Sequence, residues 1–199
     1  MVRVFEAAWE FHLFFTAYKI PYVIIGGIAA QHWGHPRLTR DVDMTIIIPL
    51  DQTDYYIDLL ISAFQSRVHD VKQKARDNRI LLLSASNGCD IDVSLGIPGY
   101  EDEVLRRSVF IELDDGKKVR VCSPEDLIIH KAVAGRGQDI LDIDGVISRM
   151  GSKLDVEYIR EWLKQFSFIL ETDDVINRFE EPFSDWEKYQ KRENKIPDQ

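Results

Sequence analysis

Asp41 and Asp43 stand one residue apart at the entry of an apolar run, residues 42–50. In an extended strand the two carboxylates project to one face, while Val42 and Met44 turn to the other, toward a core. Side by side they repel unless a cation lies between them, and oxygen-only ligands select a hard ion, Mg2+ foremost. Upstream, the apolar run 22–25 ends in Gly26-Gly27, where a helix can begin. Glycines there let backbone N–H groups approach an anion, and the helix N-terminus adds partial positive charge. A phosphate cradle beside a metal-holding carboxylate pair points to chemistry on a nucleoside triphosphate. The plainer alternatives are a strand–helix turn at the glycines and the wet face of a half-buried strand at the aspartates. The second does not explain why the acids sit only at the strand's entry, after Thr39-Arg40.

These groups need strands to hold them. Residues 79–84 and 89–95 are β-rich and joined through Asn87-Gly88, the strongest short hairpin signal in the chain. That hairpin brings a further carboxylate to a fixed depth beside Asp41 and Asp43. Asp90 and Asp92 share one face; Asp92, between Ile91 and Val93, is the deeper and is favoured, whereas Asp90 lies nearer the turn. Helical periodicity marks residues 3–18, 28–33 and 51–65, then 124–134, 138–150 and 154–166. A second hairpin is expected around Asp115-Gly116. Strands and helices do not alternate regularly, so the sheet is mixed.

Gly26-Gly27, Asp41-Val42-Asp43 and Asp92 together resemble the signature of the nucleotidyltransferase superfamily. That family has a glycine turn, a D-x-D pair and a third carboxylate on a later strand. The resemblance spans roughly residues 20–150, most of a domain. It implies an α/β (α+β) nucleotidyltransferase fold like that of DNA polymerase beta, a mixed sheet flanked by helices with a helical C-terminal part. Its usual serine after the first glycine is Gly27 here, which removes one hydroxyl contact to phosphate. Arg40 and the run 123–143, SPEDLIIHKAVAGRGQDILDI, are similar to the AbiEii-type branch, the toxin side of certain bacterial toxin–antitoxin pairs. The resemblance implies that Asp41, Asp43 and Asp92 hold Mg2+ and catalyse, Asp92 serving as base. Gly26, Gly27, Arg40 and Lys131 contact the nucleotide, with Thr39, Arg37, Arg136 and Asp139 in support. Lys131 is alternatively a snorkelling surface lysine, and Arg136, Asp139 and Asp142 a capping and ion-pair group. The partners implied are an NTP, a tRNA acceptor and a cognate antitoxin. Transfer to a small molecule such as an antibiotic, transfer to a protein, and a catalytically silent nucleotide-binding module are the alternatives.

Composition sets the outer bounds. The 199 residues, 45% hydrophobic, suffice for residues 1–122 as a core with an N-terminal helix, 123–170 as a helical part and 171–199 as a charged tail. A net charge of −9 argues against an extensive nucleic-acid surface. Residues 67–79 nonetheless gather Arg67, Lys72, Lys74, Arg76 and Arg79, either as an RNA contact or as a solvated face. The aromatic N-terminus reads as a helix rather than a signal peptide, and no run is long enough to cross a bilayer. Cys89 and Cys122 read as buried reduced thiols, which fits a cytoplasmic protein.

Overall fold

The computed structural model describes residues 2–113 and 116–193. They fall into two compact units, one within residues 1–28 and 37–123, the other within 29–36 and 124–199. The first unit begins with α1 (Val2–Ala17) and β1 (Tyr22–Ile25). Next, α2 (Gly26–Trp33) starts at the two glycines. After it come β2 (Asp41–Ile46), α3 (Thr53–Ala63), β3 (Gln65–Ser66), α4 (Val71–Asn78), β4 (Ile80–Ser84) and β5 (Asp90–Leu95), then α5 (Tyr100–Arg107), β6 (Val109–Glu112) and β7 (Lys118–Val121).

Among the described residues, seven strands form one sheet in the order β3-β4-β5-β2-β1-β7-β6. Only β2–β5 and β1–β7 are parallel; the other neighbours are antiparallel, so the sheet is mixed, as expected. Alternation decides which face is dry. Val42, Met44 and Ile46 on β2, with Ile91, Val93 and Leu95 on β5 and Leu81 and Leu83 on β4, are all buried. The buried rings of Phe11 and Phe15 on α1 join this core, and Phe11 stacks on Phe64 with ring centroids 4.0 Å apart. Burying such side chains contributes about 1.5–3 kcal/mol each, enough to fix the strand register. The β4–β5 hairpin turns at Asn87-Gly88, with Gly88 at φ 71° and the Asn87 side-chain oxygen accepting from the Cys89 N–H at 3.0 Å.

The second unit is helical: α6 (Pro124–Ala134), α7 (Gly137–Met150), α8 (Val156–Leu170) and α9 (Asp174–Glu193). Leu127, Ile128, Val146, Ile147, Ile159 and Leu163 fill its core. Arg149 ties the 29–36 segment to this unit, donating to the carbonyls of His32 (3.0 Å) and Gly34 (2.8 Å).

On α1 the inner face is Val4, Ala7, Ala8, Phe11 and Phe15, and Leu13 is 51% exposed. The 171–199 stretch carries most of α9, whose Val175, Phe179 and Phe183 are buried. Helix α7 ends at Met150 with Gly151 as its C-cap, in right-handed φ −40° and ψ −49°; a side chain there would collide with the Trp186 ring. Asp115, at the second expected turn, and residues 194–199 lie outside the described residues.

Candidate active site

The parallel pairing of β2 with β5 sets the geometry of the carboxylates. Asp41 pairs with Asp90 and Asp43 with Asp92, so four aspartates form a square of side chains on one sheet face. Their neighbours Val42 and Ile91 are fully buried on the other face. Asp92 is the better shielded of the β5 pair, its side chain 29% exposed against 52% for Asp90. Burial pushes the Asp92 carboxyl up, Arg67 opposes that shift, and the nearby charges of Asp41 and Asp90 add to it.

The glycines serve first to make room. Gly26 follows Ile25, which pairs with Asp43, and the chain turns there at φ 64°. A Cβ at Gly26 would overlap the Asp43 carboxylate, and a Cβ at Gly27 would overlap the Thr39 hydroxyl. Thr39 Oγ1 donates to Asp41 Oδ1 at 2.9 Å, fixing that carboxylate. The volume that a serine at position 27 would need is therefore filled by the hydroxyl of Thr39. Arg40, immediately before Asp41, is exposed, and Arg37 donates to the Leu38 carbonyl at 3.3 Å.

Arg67 was not foreseen at this face. Its Nη2 donates to Asp92 Oδ1, its Nη1 lies 3.3 Å from Asp90 Oδ2, and its Nε donates to the Leu83 carbonyl at 2.9 Å. A contact so distant in sequence leaves no local signal; the only hint was the basic composition of the stretch. Three further cations of that stretch are engaged too. Lys72 pairs with Asp58 at 2.6 Å, Arg76 clamps Asp54 at 2.8 and 3.0 Å, and Arg79 donates to the carbonyls of Leu95 and Gly96.

An ion on this face would meet oxygen donors only, which suits a hard divalent cation, and like-charge crowding favours its arrival. Among the described residues, no three His, Cys, Asp or Glu groups are drawn together as a ready-made cage. Asp41 and Asp43 present their carboxylates on the same face as Asp92, which is paired with Arg67.

The remaining expected residues form an ionic centre in the second unit. Lys131 is 7% exposed and its Nζ lies 2.8 Å from both Asp139 Oδ1 and Asp142 Oδ2. Arg136 Nε and its backbone N–H both donate to Asp139 Oδ2, at 2.9 and 3.0 Å. Burial pushes the Asp139 carboxyl up, but the hydrogen bonds from Lys131 and Arg136 and the lysine charge outweigh it, leaving it below its ordinary value. Burial and Lys131 push His130 down to about 4, so its imidazole is neutral near pH 7.

Three outcomes follow. Gly26→Ala forces left-handed φ on an alanine, which costs about 1–2 kcal/mol, and displaces the Asp43 carboxylate. Activity should fall more than tenfold (about 1.4 kcal/mol) while the variant still melts cooperatively. Lys131→Met leaves two buried carboxylates facing each other and should cost about 3–5 kcal/mol in urea unfolding. Because the folded Asp139 carboxyl titrates below its ordinary 3.8, its contribution is present above 3.8 and is lost as pH falls through the lower, folded value. The stability gap between wild type and Asp139→Asn should therefore narrow on acidification from pH 6 to below 3.8.

The fold has solved counterparts. One is an antigenic nucleotidyltransferase-like protein from Paracoccidioides brasiliensis, 17% identical, covering 90% of this chain and 93% of that one at TM-score 0.52. Another is the antibiotic-resistance factor ANT(2'')-Ia, 17% identical, covering 85% and 91% at TM-score 0.50. No curated protein matches the chain. The family model for "Nucleotidyl transferase of unknown function (DUF2204)" matches residues 14–178, a span that contains the glycine turn, all four aspartates of the sheet face and the ionic centre of the helical unit. The chain belongs to this nucleotidyl transferase family, and the protein is an enzyme of that class.

Proposed function

We propose that the enzyme moves a nucleoside monophosphate from an NTP onto an acceptor hydroxyl at the face carrying Asp41, Asp43 and Asp92. The observation that supports this reading is the β2–β5 register, which sets Asp92 opposite Asp43 with Asp41 on the same face. Asp41 and Asp43 hold a divalent ion, Mg2+ by the hardness of their oxygens. Such an ion, when bound, stabilises charge on the phosphate oxygens and lowers the pKa of the attacking hydroxyl. The backbone N–H groups at Gly26 and Gly27 receive a phosphate at the start of α2. Arg40 offsets triphosphate charge, with Arg37 in support. Thr39 orients Asp41 and supplies the hydroxyl that Gly27 lacks. Asp92 accepts the proton of the acceptor hydroxyl as its oxygen attacks the α-phosphorus and pyrophosphate departs. Lys131, with Asp139 and Arg136, is assigned to holding the helical unit together, because its ammonium is already shared by two carboxylates.

For the acceptor, the engagement of Arg67, Lys72, Arg76 and Arg79 within their own unit favours a small hydroxyl compound, antibiotic-like and cationic, over a long nucleic acid. The net charge of −9 points the same way. A second reading, tRNA as acceptor with growth inhibition and a cognate antitoxin, is supported by the AbiEii-like run 123–143. A cytoplasmic setting suits both readings and the two buried cysteines, which form no disulfide. No helix among the described residues is long and apolar enough to cross a membrane.

Transfer of label from each α-labelled NTP, with Mg2+, to aminoglycoside-like compounds, total tRNA and protein tests these readings together. Label should reach the small molecules and fall about 1,000-fold in Asp41→Asn, the loss of several kcal/mol of charge stabilisation. Label on tRNA instead selects the toxin reading. Transfer that persists in Asp41→Asn contradicts the assignment of the site.

A further inference from the structure

Arg67 sits where the proposed mechanism needs a carboxylate. Its guanidinium is held on three sides, by Asp92 Oδ1, by Asp90 Oδ2 at 3.3 Å and by the Leu83 carbonyl at 2.9 Å. Its backbone N–H donates to the Leu82 carbonyl at 2.9 Å, directly after β3 pairs with β4. Both ends of the residue are thus anchored on β4, the strand next to β5. The side chain is only 26% exposed, so this is no loosely waving surface arginine. Arginine is always charged, and its planar fork suits paired contacts to carboxylates.

We infer that Arg67 is the resident counter-cation of the third carboxylate, and that a divalent ion reaching Asp92 must displace or repel it. This rests on the metal-assisted reading above. The electrostatics are those of one carboxylate offered to two cations. With Asp92 Oδ1 committed to Nη2, an ion on Asp41 and Asp43 meets a fixed positive charge across the strand, because Asp43 and Asp92 are register partners. The nucleotide-free site is therefore held in a weak-binding state. An incoming triphosphate brings the negative charge that makes room for both cations. Metal and nucleotide then bind with positive coupling, and Arg67 acts as a positioning residue for Asp92 rather than as a group touching substrate.

The test is Mn2+ binding without nucleotide, read from loss of the free-ion paramagnetic resonance signal, in wild type, Arg67→Gln, Arg67→Lys and Asp43→Asn. Arg67→Met replaces the glutamine variant if that one fails to melt cooperatively. Removing the charge should tighten Mn2+ binding about tenfold, within the usual range of coupling between sites. Arg67→Lys, which keeps the charge, should stay near wild type; a merely structural role would not divide the two variants by charge. Unchanged or weaker binding in a folded Arg67→Gln protein, with wild-type binding still dependent on Asp43, overturns this inference alone. Binding that is absent throughout, or that survives Asp43→Asn, overturns the metal reading and this inference with it.

Discussion

Four carboxylates held in parallel register across two central strands are the constraint on which the first unit depends. Two unit charges 4 Å apart interact by about 1 kcal/mol in water and about 4 kcal/mol near a protein surface, so the square formed by Asp41, Asp43, Asp90 and Asp92 resists assembly. It is tolerated because the opposite face of the same strands is dry. Val42, Met44, Ile91 and Val93 fix the register, and a slip of one residue would put the acids in the core. The repulsion is then relieved locally. Arg67 serves the β5 pair, the Thr39 hydroxyl serves Asp41, and the open backbone of Gly26 accommodates Asp43.

The helical unit handles charge differently. Lys131, Asp139 and Asp142 are almost wholly buried, and the net contribution of such a centre to stability is small because desolvation offsets attraction. The centre joins two helices: the Lys131 ammonium on α6 meets Asp139 and Asp142 on α7. A lysine in an apolar helix beside a Gly-Arg-Gly turn reads as a phosphate ligand or a snorkelling surface group, and only the packing of α7 shows two carboxylates already at its tip.

The sequence made the carboxylate face legible because strand alternation is a local property. Asp41 and Asp43 had to share a face, and the Asn87-Gly88 turn had to return β5 with Asp90 and Asp92 together. The glycines were half legible. Their type announced a turn, but the Asp43 and Thr39 side chains that exclude any Cβ there come from a later strand and the loop before it. Arg67 was read as part of a basic stretch, since the contact joining it to Asp92 crosses 25 residues and has no periodicity. The aromatic side chains that anchor α9 were hidden by the charged residues between them.

The most direct measurement of the central claim is anomalous diffraction from crystals grown with Mn2+ and a non-hydrolysable NTP. The account predicts an anomalous peak within coordinating distance of both Asp41 and Asp43, with the triphosphate against the Gly26-Gly27 turn. Nucleotide bound in the crystal with the metal peak away from these two carboxylates would contradict it.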